Sequence, residues 1–204
     1  MKQFFILLAF CCISSASLVA QDATPIIKRY LLENQQKMKL NKAEAADGWR
    51  ISDQYLTKHN QVTQVYVQQI VNGLKLFNAI SSVAVKDGTV QAFNSRFTPN
   101  ATNLVNVLPG MQRLNAKDAI MKAASSVNVS LQDLQGEENK SDMDAASVYT
   151  SSAEPGKAIE TALLYKSMNS GIRLAWNVEF QSKSDWWHIR VDAVNGEILD
   201  KGNY

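Results

Sequence analysis

The clearest pattern of apolar and polar positions lies in residues 62–97 and predicts a three-stranded antiparallel meander. Three stretches rich in β-branched and aromatic residues are separated by Asn72-Gly73 and by Asp87-Gly88. Both dipeptides supply residues that tolerate positive φ, as a tight type I′ turn requires. We therefore expect a hairpin at each of the two corners.

The middle stretch of this meander does not alternate cleanly. Leu74 and Leu76 lie on one face, whereas a second set lies on the other: Phe77, Ala79, Val83 and Val85. A strand cannot bury both sets against a single layer, because successive side chains point to opposite faces. We expect a bulge or a change of phase near Leu76-Phe77.

An amphipathic helix is predicted before the meander. Thr24 is the expected cap and Pro25 the first helical position. Residues 41–48 form a polar break, and residues 49–55 form a short strand. Helix, strand and meander would make a small α+β unit. Its expected inward-facing residues are Ile26, Ile27, Tyr30, Leu31, Met38, Trp49, Ile51 and Tyr55.

A second unit is predicted after a boundary at residues 98–113, which contain Pro99 and Pro109-Gly110. The boundary segment is expected to pack, because it contains Leu104, Val105, Val107 and Leu108. Asn115 would then cap a helix that buries Ala119, Ile120, Ala123, Ala124 and Val127.

The rest of the second unit is predicted to be an acidic loop followed by strands. Residues 130–147 are rich in carboxylates, but they lack the alternating acidic pattern of a calcium loop, so a solvated loop is favoured. Strands are expected at residues 158–166, 172–180 and 186–192, and Asn195-Gly196 turns into a last one. Their expected buried residues are Leu174, Trp176, Val178, Phe180, Trp187, Ile189 and Val191.

Residues 1–20 are expected to be a secretory signal peptide, with cleavage after Ala20 favoured over cleavage after Ala16. Both cysteines, Cys11 and Cys12, lie in this segment. The mature chain would then have no disulfide, no cysteine–zinc site and no cysteine nucleophile. No second apolar stretch has the length of a transmembrane helix, so we expect a soluble product that is extracellular or periplasmic.

The charge balance gives no reason to expect a nucleic acid or an anionic membrane as a partner. The chain has 21 basic and 19 acidic side chains, and one basic residue, Lys2, leaves with the signal peptide. A net charge so near zero provides no electrostatic attraction to a polyanion.

Particular motifs resemble the FTP (fungalysin/thermolysin propeptide) domain: Gln68-Gln69, Asn72-Gly73-Leu74, Phe77-Asn78 and Asp87-Gly88-Thr89-Val90. Residues 163–165, 173–178 and 191–198 resemble the PepSY-like second half of such propeptides. The resemblance implies an α+β fold of two helix-plus-antiparallel-sheet units. One would be FTP-like at residues 21–97, and the other PepSY- or cystatin-like at residues 114–204, with residues 98–113 as linker.

The peptidases of this family use a His-Glu-x-x-His helix to bind zinc. This chain contains only His59 and His188, and neither has a neighbouring Glu or a second His four residues on. No Gly-x-Ser-x-Gly elbow is present either. We therefore expect no enzyme activity, no catalytic residue, no metal site and no cofactor.

The candidates for partner contact lie in the third C-terminal strand. Trp186 shares a face with His188 and Arg190, and an exposed aromatic residue is a frequent anchor in interfaces. For His59 and His188, an ordinary surface position is favoured over pH sensing. Trp176 and Trp187 are expected in the core. Asn100, Asn128 and Asn139 are glycosylation sequons that matter only if the source glycosylates.

The resemblance implies the propeptide region of a secreted fungalysin-like metallopeptidase. Its partner would be the catalytic domain, in cis or in trans, which it would inhibit by occluding the cleft and assist in folding. The end of the sequence at Tyr204 favours a truncated precursor. The alternative is a stand-alone secreted peptidase inhibitor or ligand-binding module with the same fold.

Overall fold

The computed structural model describes residues 22–108, 111 and 113–203. The predicted signal peptide and the Pro109-Gly110 pair of the predicted linker lie outside the described residues. The helices are α1 (Thr24–Asn34), α2 (Lys42–Asp47), α3 (Ala101–Leu104) and α4 (Ala116–Ser125). The strands are β1 (Trp49–Thr57), β2 (Val62–Val71), β3 (Leu74–Lys86), β4 (Thr89–Asn94), β5 (Ser147–Tyr149), β6 (Ile159–Met168), β7 (Gly171–Ser182), β8 (Asp185–Asp192) and β9 (Ile198–Asn203).

The strands of the described residues form one sheet in the order β1-β2-β3-β6-β7-β8-β9, with β4 beside β3 and β5 beside β6. Apart from β4 and β5, consecutive strands pair antiparallel, and β3 meets β6 through one parallel bridge between Leu76 and Tyr165. Few helices and a large, mostly antiparallel sheet confirm the predicted α+β class. The two halves of the chain therefore share one sheet, which the sequence pattern had left open.

Two hydrophobic cores lie on the same face of this sheet. The α1 core contains Val65 and Val67 of β2, and the α4 core contains Val71 of the same strand. These three residues point to one side, because side chains in a strand alternate. Each of the four described helices contributes a buried residue to one of these cores. We call the opposite side, from which Ile80 and Trp186 project into solvent, the open face.

The predicted bulge in β3 is confirmed. Gln68 pairs with Ile80 and Ile70 pairs with Lys75, so residues 76–79 of β3 face the single residue Gln69 of β2. The extra residues shift the phase of the strand. As a result Leu74, Leu76 and Ala79 enter the α4 core, while Val83 and Val85 enter the α1 core.

Both predicted turns are confirmed by their backbone angles. Asn72 and Gly73 have φ of 46° and 84°, and Asp87 and Gly88 have φ of 49° and 70°. Positive φ at both central residues is the type I′ conformation, which matches the twist of the flanking strands.

Three details of the first unit differ from the predictions. Thr24 is the first residue of α1 rather than its cap, since Ala23 holds the cap position, and the N–H of Thr24 donates to the side chain of Asp22 at 2.9 Å. The predicted polar break contains the helix α2, whose Asn41 and Glu44 form a capping box. Tyr55 is half exposed on the open face rather than inward, because a bulge in β1 shifts the alternation after Ile51.

The second unit follows its predicted pattern closely. Asn115 caps α4 by accepting the N–H of Asp118 at 2.9 Å. Four of the five residues expected to be buried in α4 are buried, and Val127 packs against them. The linker packs in part: Ala101, Val105 and Val107 contact the α4 core, whereas Leu104 and Leu108 are exposed. In the described residues, no helix is long and apolar enough to cross a membrane.

Candidate functional site

The glutamine pair of the propeptide-like motif holds the β3 bulge in place. Gln68 is buried, and its Nε2 donates to the carbonyl oxygens of Leu76 at 2.7 Å and of Gln69 at 3.0 Å. A bulge removes ladder partners from the backbone, and a buried carbonyl needs another donor. Gln68 supplies that donor from the neighbouring strand.

Gln69 anchors the chain segment that leaves the meander. Its Nε2 donates to the carbonyl oxygen of Thr98 at 2.9 Å, and its Oε1 accepts the N–H of Thr98 at 2.7 Å. Since Gln69 is 98% buried, these bonds form away from water. The side chain thus acts as a substitute for a strand partner and fixes the start of the linker.

The bulge also turns Phe77 toward the open face, where it meets charged residues of the second half of the sheet. The Lys166 ammonium and the Arg190 guanidinium lie 4.9 Å and 4.4 Å from the centroid of the Phe77 ring. Both cations form ion pairs with Asp200. We call Phe77, Lys166, Arg190 and Asp200 the junction cluster, because it spans the two halves of the sheet.

The junction cluster shows that the sheet curves toward its open face. Lys166 lies on β6 and Asp200 on β9, so their ion pair crosses three inter-strand spacings, about 14 Å in a flat sheet. These two side chains reach each other only where the strands bend toward them. The cluster is therefore set in a concave part of the open face.

Burial raises the pKa of the Asp200 carboxyl, but hydrogen bonds from Lys166 and Arg190 outweigh burial and hold the pKa below its ordinary value of 3.8. A carboxyl whose pKa is lower in the folded state contributes stability above its unfolded pKa and loses it as the pH falls through the folded pKa. We expect the difference in free energy of unfolding between native protein and Asp200→Asn to shrink from about pH 5 to about pH 2. Denaturant unfolding over this range measures it.

The matched control for this prediction is Asp53→Asn, which removes an exposed carboxyl on the open face of β1. A difference between native protein and Asp200→Asn that stays constant as the pH falls would contradict the assigned role of Asp200.

The three residues predicted to contact a partner differ in their exposure to solvent. Trp186 is 52% exposed, whereas Arg190 is only 4% exposed within the junction cluster. His188 is half-buried, and its ring lies against the backbone of Gly202 on β9. A contact role stays a prediction for all three, and Trp186 alone offers a large accessible surface. The core position predicted for Trp176 is confirmed, and Trp187 packs against the same core while half-buried.

One partly buried ion pair has no signal in the sequence. Arg113, at the end of the linker, pairs with Glu138 of the acidic loop at 2.5 Å, and its guanidinium lies 5.3 Å from the Trp176 ring centroid. The second oxygen of Glu138 accepts the N–H of Ala116 at the start of α4. The pairing connects residues far apart in sequence, so no local pattern marks it. No group of three potential metal ligands occurs in the described residues.

The segment from the end of α2 to Phe97 thus combines a bulged meander with two buried glutamines. Residues 47–97 match the Fungalysin/Thermolysin Propeptide Motif. The propeptide motif includes β1 to β4 and the residues that anchor the bulge.

Curated relatives extend the similarity beyond the propeptide motif. Extracellular metalloproteinase 2 of Phaeosphaeria nodorum is 28% identical over 192 residues, which cover 90% of this chain and 29% of that protein. Extracellular metalloproteinase 4 of Arthroderma otae is 23% identical over 152 residues, covering 73% of this chain and 23% of that protein. The chain therefore spans less than a third of the length of these relatives.

A solved structure, the Bacillus megaterium YpeB C-terminal domain, aligns with 86% of this chain and 64% of its own. The TM-score is 0.35 and the identity 10%, so no conclusion rests on that likeness.

Proposed function

We propose that this chain is the propeptide region of a secreted fungalysin-like zinc metallopeptidase. The observation that carries the proposal is the propeptide motif at residues 47–97, within a similarity to extracellular metalloproteinases that covers 90% of the chain. The partner is the peptidase catalytic domain, in cis or in trans. The chain itself performs no catalysis, and it acts outside the cytoplasm after removal of the signal peptide at residues 1–20.

The propeptide has two roles in this proposal: it inhibits the catalytic domain, and it assists that domain in folding. Both roles need a preformed surface and no reacting group. The open face supports them, because it carries polar and aromatic side chains that no described helix covers, and it is concave at the junction cluster. Residues 21–97 and 114–204 act as the FTP-like and PepSY-like units, and residues 98–113 link them.

The test uses the coding sequence and a refolding assay. Continuation of the reading frame after Tyr204 to a His-Glu-x-x-His motif is the expected result, and a stop codon there favours the stand-alone module. The catalytic domain so identified is then refolded with and without the purified propeptide. We expect a higher yield of folded peptidase and a lower peptidase activity with the propeptide present. Equal yield and equal activity in both samples would contradict both proposed roles.

Trp186→Ala tests the predicted contact. Trp186 is 52% exposed, so we expect a change in the free energy of unfolding below about 0.5 kcal/mol. If the indole anchors the interface, the inhibition constant rises by about tenfold or more. The control is Tyr55→Ala, which removes an aromatic ring of similar exposure at the far strand of the open face. Equal inhibition by both variants and the native chain would exclude Trp186 from the contact.

A further inference from the structure

A pocket lies where β3 changes its neighbour. β3 touches β6 at Leu76 and pairs with β4 from Ser82 onward, so residues 77–81 lie between the two partners. The pocket has a volume of about 260 Å³. Its walls include Phe77, Asn78, Arg96, Thr98, Lys166 and Ser167.

Buried side chains hold the wall of this pocket in place. The N–H of Arg96 donates to the hydroxyl of Ser81 at 2.9 Å, and Ser81 is completely buried. Thr98 is held by two hydrogen bonds with Gln69, one donated by each residue. Because both anchors are buried, Arg96 is attached to a rigid support while its side chain remains exposed. The pocket is therefore a fixed feature of the fold.

The charges at the pocket are not balanced. Arg96 and Lys166 are cations, and no carboxylate lines the pocket. Asp200 is shared between Lys166 and Arg190, and among the described residues Arg96 forms no ion pair. The Nε of Arg190, which is 96% buried, has no hydrogen-bond partner in the described part of the chain. Among the described residues, the ion pairs of the two lining cations therefore involve one carboxylate, Asp200, which Arg190 also shares.

We propose that this pocket binds a carboxylate, the side chain of an aspartate or glutamate from a polypeptide that packs over the junction of the two halves of the sheet. The Arg96 guanidinium, the Lys166 ammonium and the hydroxyls of Thr98 and Ser167 are donors suited to a carboxylate. Lys166 lines the pocket from the open face, and the exposed side chain of Arg96 comes from the segment that Ser81 and Gln69 anchor. That the carboxylate belongs to a polypeptide rests on the proposed function, whereas the binding of an anion in the pocket does not depend on it.

The first experiment needs no peptidase. The mature chain, labelled with ¹⁵N, is titrated with N-acetyl-aspartate methylamide, with its asparagine counterpart and with inorganic phosphate. We expect the aspartate compound to shift the backbone resonances of Asn78 and Thr98 and the Nε–H of Arg96, and the asparagine compound to leave them unchanged. Tighter binding of phosphate than of the aspartate compound would overturn the carboxylate assignment.

Two variants test which charged groups determine the binding of the aspartate compound. Arg96→Gln removes a charge-assisted donor, so binding of the aspartate compound weakens by about tenfold. Asp200→Asn removes the competing carboxylate, so binding tightens. The control is Arg29→Gln, an exposed arginine of α1 that bonds the carbonyl oxygen of Gly88 at the distant β3–β4 turn, which leaves binding unchanged. Equal weakening by Arg29→Gln, or no localised shifts, would reduce the effect to general charge screening and overturn the proposal.

A second experiment tests the source of the carboxylate separately. The native chain and Arg96→Gln are compared as inhibitors of the catalytic domain. Weaker inhibition by Arg96→Gln supports a carboxylate on that domain, and equal inhibition overturns that source. The native chain could also bind the aspartate compound without inhibiting the catalytic domain. That result would count against the proposed function and would leave the anion pocket unaffected.

Discussion

Replacing Trp176 with alanine is expected to lower the free energy of unfolding by about 3–5 kcal/mol. Trp176 is completely buried in the α4 core, and its Nε1 donates to the carbonyl oxygen of Leu114 at 2.9 Å. Its ring also lies under the Arg113 guanidinium at 5.3 Å. The substitution therefore leaves a large cavity, an unpaired carbonyl and a cation that has lost its aromatic neighbour.

Equilibrium unfolding in denaturant measures this loss, and Trp186→Ala is the matched control. Trp186 lies in the next strand of the sheet but is 52% exposed, so its removal is expected to cost less than about 0.5 kcal/mol. The same chemical change is thus made inside and outside the core. A cost for Trp176→Ala below about 1 kcal/mol would contradict the packing described for the α4 core.

Gln68→Leu is expected to cost about 2–4 kcal/mol, because two buried carbonyl groups lose their donor. The Nε2 of Gln68 bonds the carbonyl oxygens of Leu76 and Gln69, and leucine of similar size bonds neither. Leu76 is also the residue through which β3 meets β6. Loosening of the bulge should therefore weaken the connection between the two halves of the sheet.

Two measurements check Gln68→Leu. Denaturant unfolding gives the change in stability, and amide hydrogen exchange shows whether protection falls near Leu76 and Tyr165 more than elsewhere. The control is Gln64→Leu, on the same face of β2 but paired with Ala84 in the regular part of the ladder. If both substitutions changed stability equally, the bulge would not depend on Gln68.

Local signals explain which predictions succeeded. The Asn72-Gly73 and Asp87-Gly88 corners, the Asn115 cap and the alternation in β7 depend on residues close together in sequence. The bulge at Leu76-Phe77 was predicted because the two apolar sets of β3 could not share one regular strand. The helix α2 was missed although its signal, Asn41 followed three residues later by Glu44, is present in the sequence.

The partner-contact prediction shows where alternation fails. Trp186, His188 and Arg190 share a face of β8, yet exposure falls from 52% at Trp186 to 4% at Arg190. Alternation assigns a face, but it does not say what lies above that face. Phe77, distant in sequence, and Asp200, the partner of Arg190 across the β8–β9 hairpin, enclose Arg190.

The sequence by itself determined the local elements: the bulged meander, the capped helix α4 and the antiparallel strands of the second half, since each depends on neighbouring residues. Only the tertiary structure decided that Leu76 and Tyr165 join the two halves into one sheet. It also decided that Arg190 is buried and that Arg96 and Lys166 line one pocket. These contacts join residues far apart in the chain, and their geometry follows from the curvature of the sheet, which periodicity does not encode.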